Sequence, residues 1–144
     1  MVQELQKLEG RILIVEDDSE FVKVIQRFLK MYSNEFVVHA APTGEEALKY
    51  LQGAPYDLVI IDYTLAGRAN GLYVWEFCRK KHPNVPILMM SGLPVEQFLE
   101  MMNGHRTIPR FLSKPFQRAD LQRVIVETFR SKSNESQRNQ KRAA

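Results

Sequence analysis

Short apolar runs recur along the chain, and each stops at a polar residue of a different kind. Arg11-Ile12-Leu13-Ile14-Val15 stops at Glu16-Asp17-Asp18, and Asp57-Leu58-Val59-Ile60-Ile61 stops at Asp62. Pro86-Ile87-Leu88-Met89-Met90 gives way to Ser91, and Arg110-Phe111-Leu112-Ser113 to Lys114-Pro115. With Phe36-Val37-Val38-His39-Ala40 they make five runs. Short, continuous and rich in branched residues, they predict strands apolar on both faces.

Between the runs the period becomes helical. After Asp18-Ser19, a good N-cap pair, Phe21, Ile25, Phe28, Leu29 and Tyr32 fall on one helical stripe. Thr43 and Glu46 form a capping box for a helix through Leu51, stopped by Gly53 and Pro55. Leu72, Trp75 and Cys78 mark a helix over 71–82 that ends in a basic turn and Pro83. A shorter helix is predicted over 95–102, and a last one over 118–129 with Leu121, Val124, Ile125 and Phe129 inward. Five β-α repeats with doubly buried strands predict an α/β fold, a doubly wound parallel sheet covered by helices on each side. The five-strand order expected for it is 2-1-3-4-5.

Composition narrows the class. A chain of 144 residues is long enough to bury a core as one domain, and 44% apolar with 26% charged residues is usual for a globule. No apolar stretch reaches the ~20 residues that span a bilayer, the first residues lack a secretory signal pattern, and the single Cys78 cannot make an internal disulfide. A cytoplasmic location, with no membrane partner, is the expectation. The net charge of +3 lies wholly beyond Arg130, where Lys132, Arg138, Lys141 and Arg142 face only Glu135. The neutral body is therefore not a basic module that binds nucleic acid directly. The divisions expected are an N-terminal extension over 1–9, a domain over 10–130, and a polar basic tail over 131–144 whose lack of apolar periodicity predicts disorder.

The strand ends carry the chemistry. In a doubly wound sheet ligands bind beyond the carboxyl ends of the strands, where the winding reverses. That point lies between the first and third strands, which end in Glu16-Asp17 and Asp62. Carboxylates crowded together repel unless a cation compensates; Lys114 supplies one charge and a hard divalent ion suits the rest. Mg²⁺ fits an all-oxygen set, whereas Cys78 and the three histidines have no metal-ligand spacing. Read singly, Asp17 and Asp18 are first-turn acids, Ser91 a turn serine and Lys114 a surface lysine; placement as a set gives them weight. The histidines read as surface or loop residues without chemistry, and Trp75, Cys78 and the methionines as core.

Those four motifs, Ile12-Leu13-Ile14-Val15-Glu16-Asp17, Asp57-Leu58-Val59-Ile60-Ile61-Asp62, Met90-Ser91-Gly92 and Lys114-Pro115-Phe116, resemble the receiver domain of two-component response regulators in order and spacing. The resemblance covers residues 10 to 130 and implies a flavodoxin-like receiver fold. It implies that Asp62 is the phospho-acceptor, taking a phosphoryl group from a histidine kinase or phosphotransfer protein to form an aspartyl phosphate. Asp17, Asp62 and the carbonyl of Thr64 would bind Mg²⁺, with Glu16 reaching it through water. Ser91 and Lys114 would hold phosphoryl oxygens, and Lys114-Pro115 would be cis. Phe111 would be the aromatic that turns inward on activation, with Ser91 as its companion switch residue. The fourth helix, fifth strand and fifth helix would then engage a downstream protein target or output domain, or a second copy in a phosphorylation-linked homodimer.

This chain departs from the family in places. Leu65-Ala66 stand where the family commonly has Met-Pro, the 66–70 loop reads as carrying an insertion, and the stretch from Ser91 to Lys114 is about one residue longer than the family's usual spacing. Thr64 and Leu93, two beyond Asp62 and Ser91, occupy positions that modulate phosphoryl lifetime in the family. Two alternatives remain open at this level: the receiver portion of a larger hybrid kinase or transcription regulator, and a Mg²⁺-dependent phosphohydrolase with an Asp nucleophile. Thr64 stands where the haloacid-dehalogenase type of such hydrolases carries its second Asp, which argues for a module that catalyses only its own phosphorylation and dephosphorylation.

Overall fold

The computed structural model describes residues 8–65 and 70–143. Most of the expected N-terminal extension and of the 66–70 loop insertion lies outside the described residues. Five strands, β1 (Glu9–Val15), β2 (Glu35–Ala41), β3 (Leu58–Asp62), β4 (Ile87–Ser91) and β5 (Arg110–Ser113), alternate with five helices. The helices are α1 (Ser19–Tyr32), α2 (Gly44–Gly53), α3 (Gly71–Lys81), α4 (Val95–Met101) and α5 (Arg118–Ala143). The sheet is parallel in the order β2-β1-β3-β4-β5, the order expected.

Alternation along each strand splits the core in two. Leu13, Val15, Val59, Ile61 and Met89 point to the face covered by α2, α3 and α4, where they meet Ala47, Leu51, Val74, Trp75, Cys78 and Phe98. Ile12, Ile14, Leu58, Ile60, Leu88 and Met90 point to the opposite face and meet Ile25, Leu29, Leu121 and Ile125 of α1 and α5. Each buried aliphatic side chain contributes roughly 1.5–3 kcal/mol relative to exposure. Tyr32 ties the second layer together, its hydroxyl donating to the carbonyl of Arg118.

Capping follows the sequence. Asp18 accepts from the N–H groups of Glu20 and Phe21, and Thr43 Oγ1 accepts from Glu46 N at 3.2 Å. Asn70 caps α3 through Tyr73 N at 2.9 Å. Gly71, the first residue of α3, is required by close approach. A Cβ there would stand 2.3 Å from the carbonyl oxygen of Asp62 and 2.7 Å from the Cα of Tyr63.

Two expectations are corrected. Strands β2 and β5 are not buried on both faces, because each is an edge strand with one neighbour; Val37 of β2 is 48% exposed. The last helix does not end at Phe129 but continues through Ala143. Periodicity predicts disorder there, yet no Gly or Pro occurs from Arg118 to Ala143, and Gln, Lys, Arg and Glu propagate a helix already nucleated by the packed first turns. His39 lies in β2, as its apolar run predicts, but half-buried, with its Nδ1 2.7 Å from the hydroxyl of Tyr56.

Candidate functional site

The strand ends at the switch point are fixed by backbone bonds that extend the ladders one step further. Glu16 N donates to Ala41 O at 3.0 Å, Tyr63 N to Met90 O at 2.8 Å, and Lys114 N to Ser91 O at 2.8 Å. Glu16 and Asp17 thus leave β1 beside Asp62, the last residue of β3, while Ser91 ends β4 and Lys114 follows β5. The Lys114–Pro115 peptide is cis.

Carboxylate oxygens of Glu16, Asp17 and Asp62 all lie within 4.8 Å of one another. Glu16 and Asp62 are buried, and Asp17 is exposed at the rim. Lys114 bridges the two buried acids, its Nζ donating to Glu16 Oε2 at 2.6 Å and lying 3.3 Å from Asp62 Oδ2. The other Asp62 oxygen, Oδ1, accepts from Thr64 N at 3.1 Å, and Glu16 Oε1 accepts from Asp18 N at 3.1 Å. Three carboxylates around one ammonium leave the pocket electron-rich and short of positive charge. An all-oxygen donor set of this kind fits a hard divalent cation.

The electrostatics record that shortage. Burial, reinforced by the charge of Asp62, pushes the Glu16 carboxyl up to about 7 against the opposing hydrogen bonds from Lys114 and the Asp18 amide. Burial alone would lower the Lys114 ammonium, but its bond to Glu16 and the charge of Asp62 outweigh that and raise it. Lys114 therefore stays a cation.

Among the residues the sequence singles out, Glu16, Asp17, Asp62 and Lys114 come together in one pocket. Thr64 sits beside them, two residues past Asp62, with its N–H already on that carboxylate. Ser91 is fully buried at the end of the neighbouring strand; its hydroxyl accepts from Leu93 N at 3.0 Å and its carbonyl takes Lys114 N. Phe111 stands apart from the acids. It is half-buried and stacked on Phe98 of α4, ring centroids 4.2 Å apart at 18°.

Sequence reasoning missed the aromatic residues around the pocket. Phe21 reads only as part of a helical stripe and Phe98 is not singled out at all, yet Phe21 lies under the Lys114 ammonium and Phe98 links Tyr63, its edge-on neighbour, to Phe111. Helical periodicity reports that such a ring is inward, and carries no signal for which polar group it meets.

A doubly wound sheet whose switch point gathers three carboxylates and a lysine ammonium, with Ser91 ending the neighbouring strand, defines an α/β domain with an acidic pocket at its strand ends. The family model of the response regulator receiver domain matches residues 12–126. The chain belongs to that family, whose members generally bind Mg²⁺ at an acidic pocket and interact with histidine kinases and output domains.

Curated relatives are regulators rather than enzymes of the usual kind. The chain is 31% identical over 116 residues to the regulatory protein VanR of Enterococcus faecium, covering 79% of this chain and 47% of VanR. It is 29% identical over 126 residues to the cell cycle transcriptional regulator CtrA of Caulobacter vibrioides, covering 86% and 52%. The transcription factor SKN7 of Saccharomyces cerevisiae is 28% identical over 123 residues, 84% of this chain but 19% of SKN7. The chain thus spans about half the length of VanR and CtrA and a smaller share of SKN7.

Solved structures agree on the fold. A CheY-like receiver domain protein from Methanospirillum hungatei superposes with a TM-score of 0.75 at 24% identity, covering 89% of this chain and 99% of its own. NtrX from Brucella abortus gives 0.78 at 23%, covering 92% and 29%. Among the described residues no helix is long and apolar enough to cross a membrane.

Proposed function

We propose that this domain is a phosphorylation-driven signalling module in which Asp62 accepts a phosphoryl group from a histidine kinase or a phosphotransfer protein. The observation that carries the reading is the convergence of Glu16, Asp17 and Asp62 oxygens within 4.8 Å, with Lys114 reaching both buried members. Asp17, Asp62 and the carbonyl of Thr64 would hold Mg²⁺ directly, and Glu16 through water. When bound, the ion would supply charge neutralisation for the transfer.

The chain's own residues do the rest. A carboxylate oxygen of Asp62 attacks phosphorus in line, forming the new O–P bond as the N–P bond to the donor imidazole breaks. Lys114 follows the transferred charge, exchanging its contact with Asp62 Oδ2 for a phosphoryl oxygen. Ser91 donates its hydroxyl proton to another phosphoryl oxygen. The group adds about −1.5 to −2 charges, and shifts in Ser91 and Phe111 carry the change to the surface of α4, β5 and α5.

On this reading the domain catalyses only its own phosphorylation and dephosphorylation and turns over no external substrate. It works in the cytoplasm and signals through a partner protein or an attached output domain, with a phosphorylation-linked homodimer as one form of output. The half-length match to VanR and CtrA favours a second form of the same reading, the receiver portion of a larger transcription regulator. The test is incubation with acetyl phosphate in the presence and absence of Mg²⁺. One phosphoryl mass increment is expected, dependent on Mg²⁺ and lost in Asp62→Asn. Labelling that survives the substitution contradicts the assignment.

A further inference from the structure

Lys114 is held by more than acids. Its Nζ lies 4.4 Å from the ring centroid of Phe21, in the first turn of α1. Phe21 is in turn packed edge-to-face against Phe116, ring centroids 5.5 Å apart at 75°, two residues beyond Lys114 itself. Both rings are half-buried, so the ammonium, itself largely shielded, has an aromatic face on one side and the Glu16 and Asp62 carboxylates on another.

A ring face is a weak, diffuse acceptor that attracts a cation without forming a directed bond. A cation bound only by carboxylates sits firmly but must break an ion pair to move. The same cation resting on a ring keeps a favourable contact while it slides from Asp62 Oδ2 toward an incoming phosphoryl oxygen. We propose that Phe21 is a positioning residue for the phosphoryl transfer. It acts through Lys114, with Phe116 fixing the tilt of its ring. This rests on the reading of Lys114 as the phosphoryl partner and adds a residue to it. Nothing in the apolar periodicity of α1 requires an aromatic at this position, since leucine would fill the same stripe.

The effect expected is at most roughly tenfold in rate, because only the part of the cation–ring contact that strengthens as Lys114 moves toward the phosphoryl oxygen lowers the barrier. Phe21→Leu should slow phosphorylation by acetyl phosphate at saturating donor within that limit, leaving the donor concentration at half-saturation and the Mg²⁺ affinity unchanged. Phe21→Tyr, which keeps the ring face, should restore the native rate. Mono-, tri- and pentafluorophenylalanine at position 21 keep the ring's shape while draining its face, so the rate should fall progressively along the series. A rate that ignores fluorination overturns the proposal, even if Phe21→Leu is slow, because packing alone then explains the residue. Lys114→Met is the control: if it leaves the rate unchanged, the reading of Lys114 fails and the proposal with it, whereas a slow Lys114→Met beside a flat fluorine series removes Phe21 alone.

Discussion

Phe98 of α4 lies flat on Phe111 of β5, centroids 4.2 Å apart and planes 18° from parallel. Phe98 is fully buried and also meets Tyr63, the residue after Asp62, edge-on at 6.1 Å. An aromatic file therefore runs from the acid pocket to the surface between α4 and β5. Stacked rings are worth about 0.5–1.5 kcal/mol beyond the area they bury. A double-mutant cycle on Phe98→Leu and Phe111→Leu, followed by urea unfolding, should give a coupling energy of that size. Additive effects would mean that the rings merely share a neighbourhood.

Gly71 makes a sharper structural prediction. A methyl group there would collide with the backbone of Asp62 and Tyr63, which a flexible side chain could avoid and a strand end cannot. Gly71→Ala should cost about 1–3 kcal/mol and weaken Mg²⁺ binding, because the displaced residue is Asp62. Gly53, with nothing within 4 Å of the position a Cβ would take, is the comparison. Gly53→Ala should be neutral or raise stability by up to about 1 kcal/mol, read as a shift of the urea midpoint at constant slope.

The fold was legible because five apolar runs of strand length alternate with helical stripes, and parallel sheets have few other ways to close. The acids were legible because the fold places strand ends together, so Glu16-Asp17 and Asp62 needed no contact information to be paired. What stayed hidden is of two kinds. His39, Phe21 and Phe98 have partners chosen by tertiary packing, to which periodicity is blind. The length of α5 was hidden because a polar segment without an apolar stripe gives no packing signal, while helix propensity and the preceding docked turns still extend it.

Cys78 should be inert. Burial pushes its thiol up to about 12, and only 1% of the residue is exposed in α3. The thiolate is the reactive form, so thiol reagents at neutral pH should label the native protein only as fast as it opens, and completely in denaturant. Rapid stoichiometric labelling of the folded domain would contradict the packing of α3 on β3.

Protons and Mg²⁺ should compete at Glu16. Its folded pKa lies near 7, above the model-compound value of 4.5, so between those limits the folded state holds more protons than the unfolded one. Without divalent ions, stability should therefore fall as pH rises from 4.5 through 7. Mg²⁺ favours the ionised carboxylate, so its affinity should rise over the same window and level off above it. In Glu16→Gln both slopes should flatten; thermal unfolding and fluorescence titration across that range would check the pair.

The central claim is that separated acids meet around one reactive carboxylate, and the most direct measurement is to locate the phosphoryl group covalently. Treating the Mg²⁺- and acetyl phosphate-labelled protein with borohydride reduces an aspartyl phosphate to homoserine, which peptide mass mapping places on the sequence. The account predicts homoserine at position 62 and nowhere else. Homoserine at another aspartate, or phosphate retained on a serine or histidine, would contradict it.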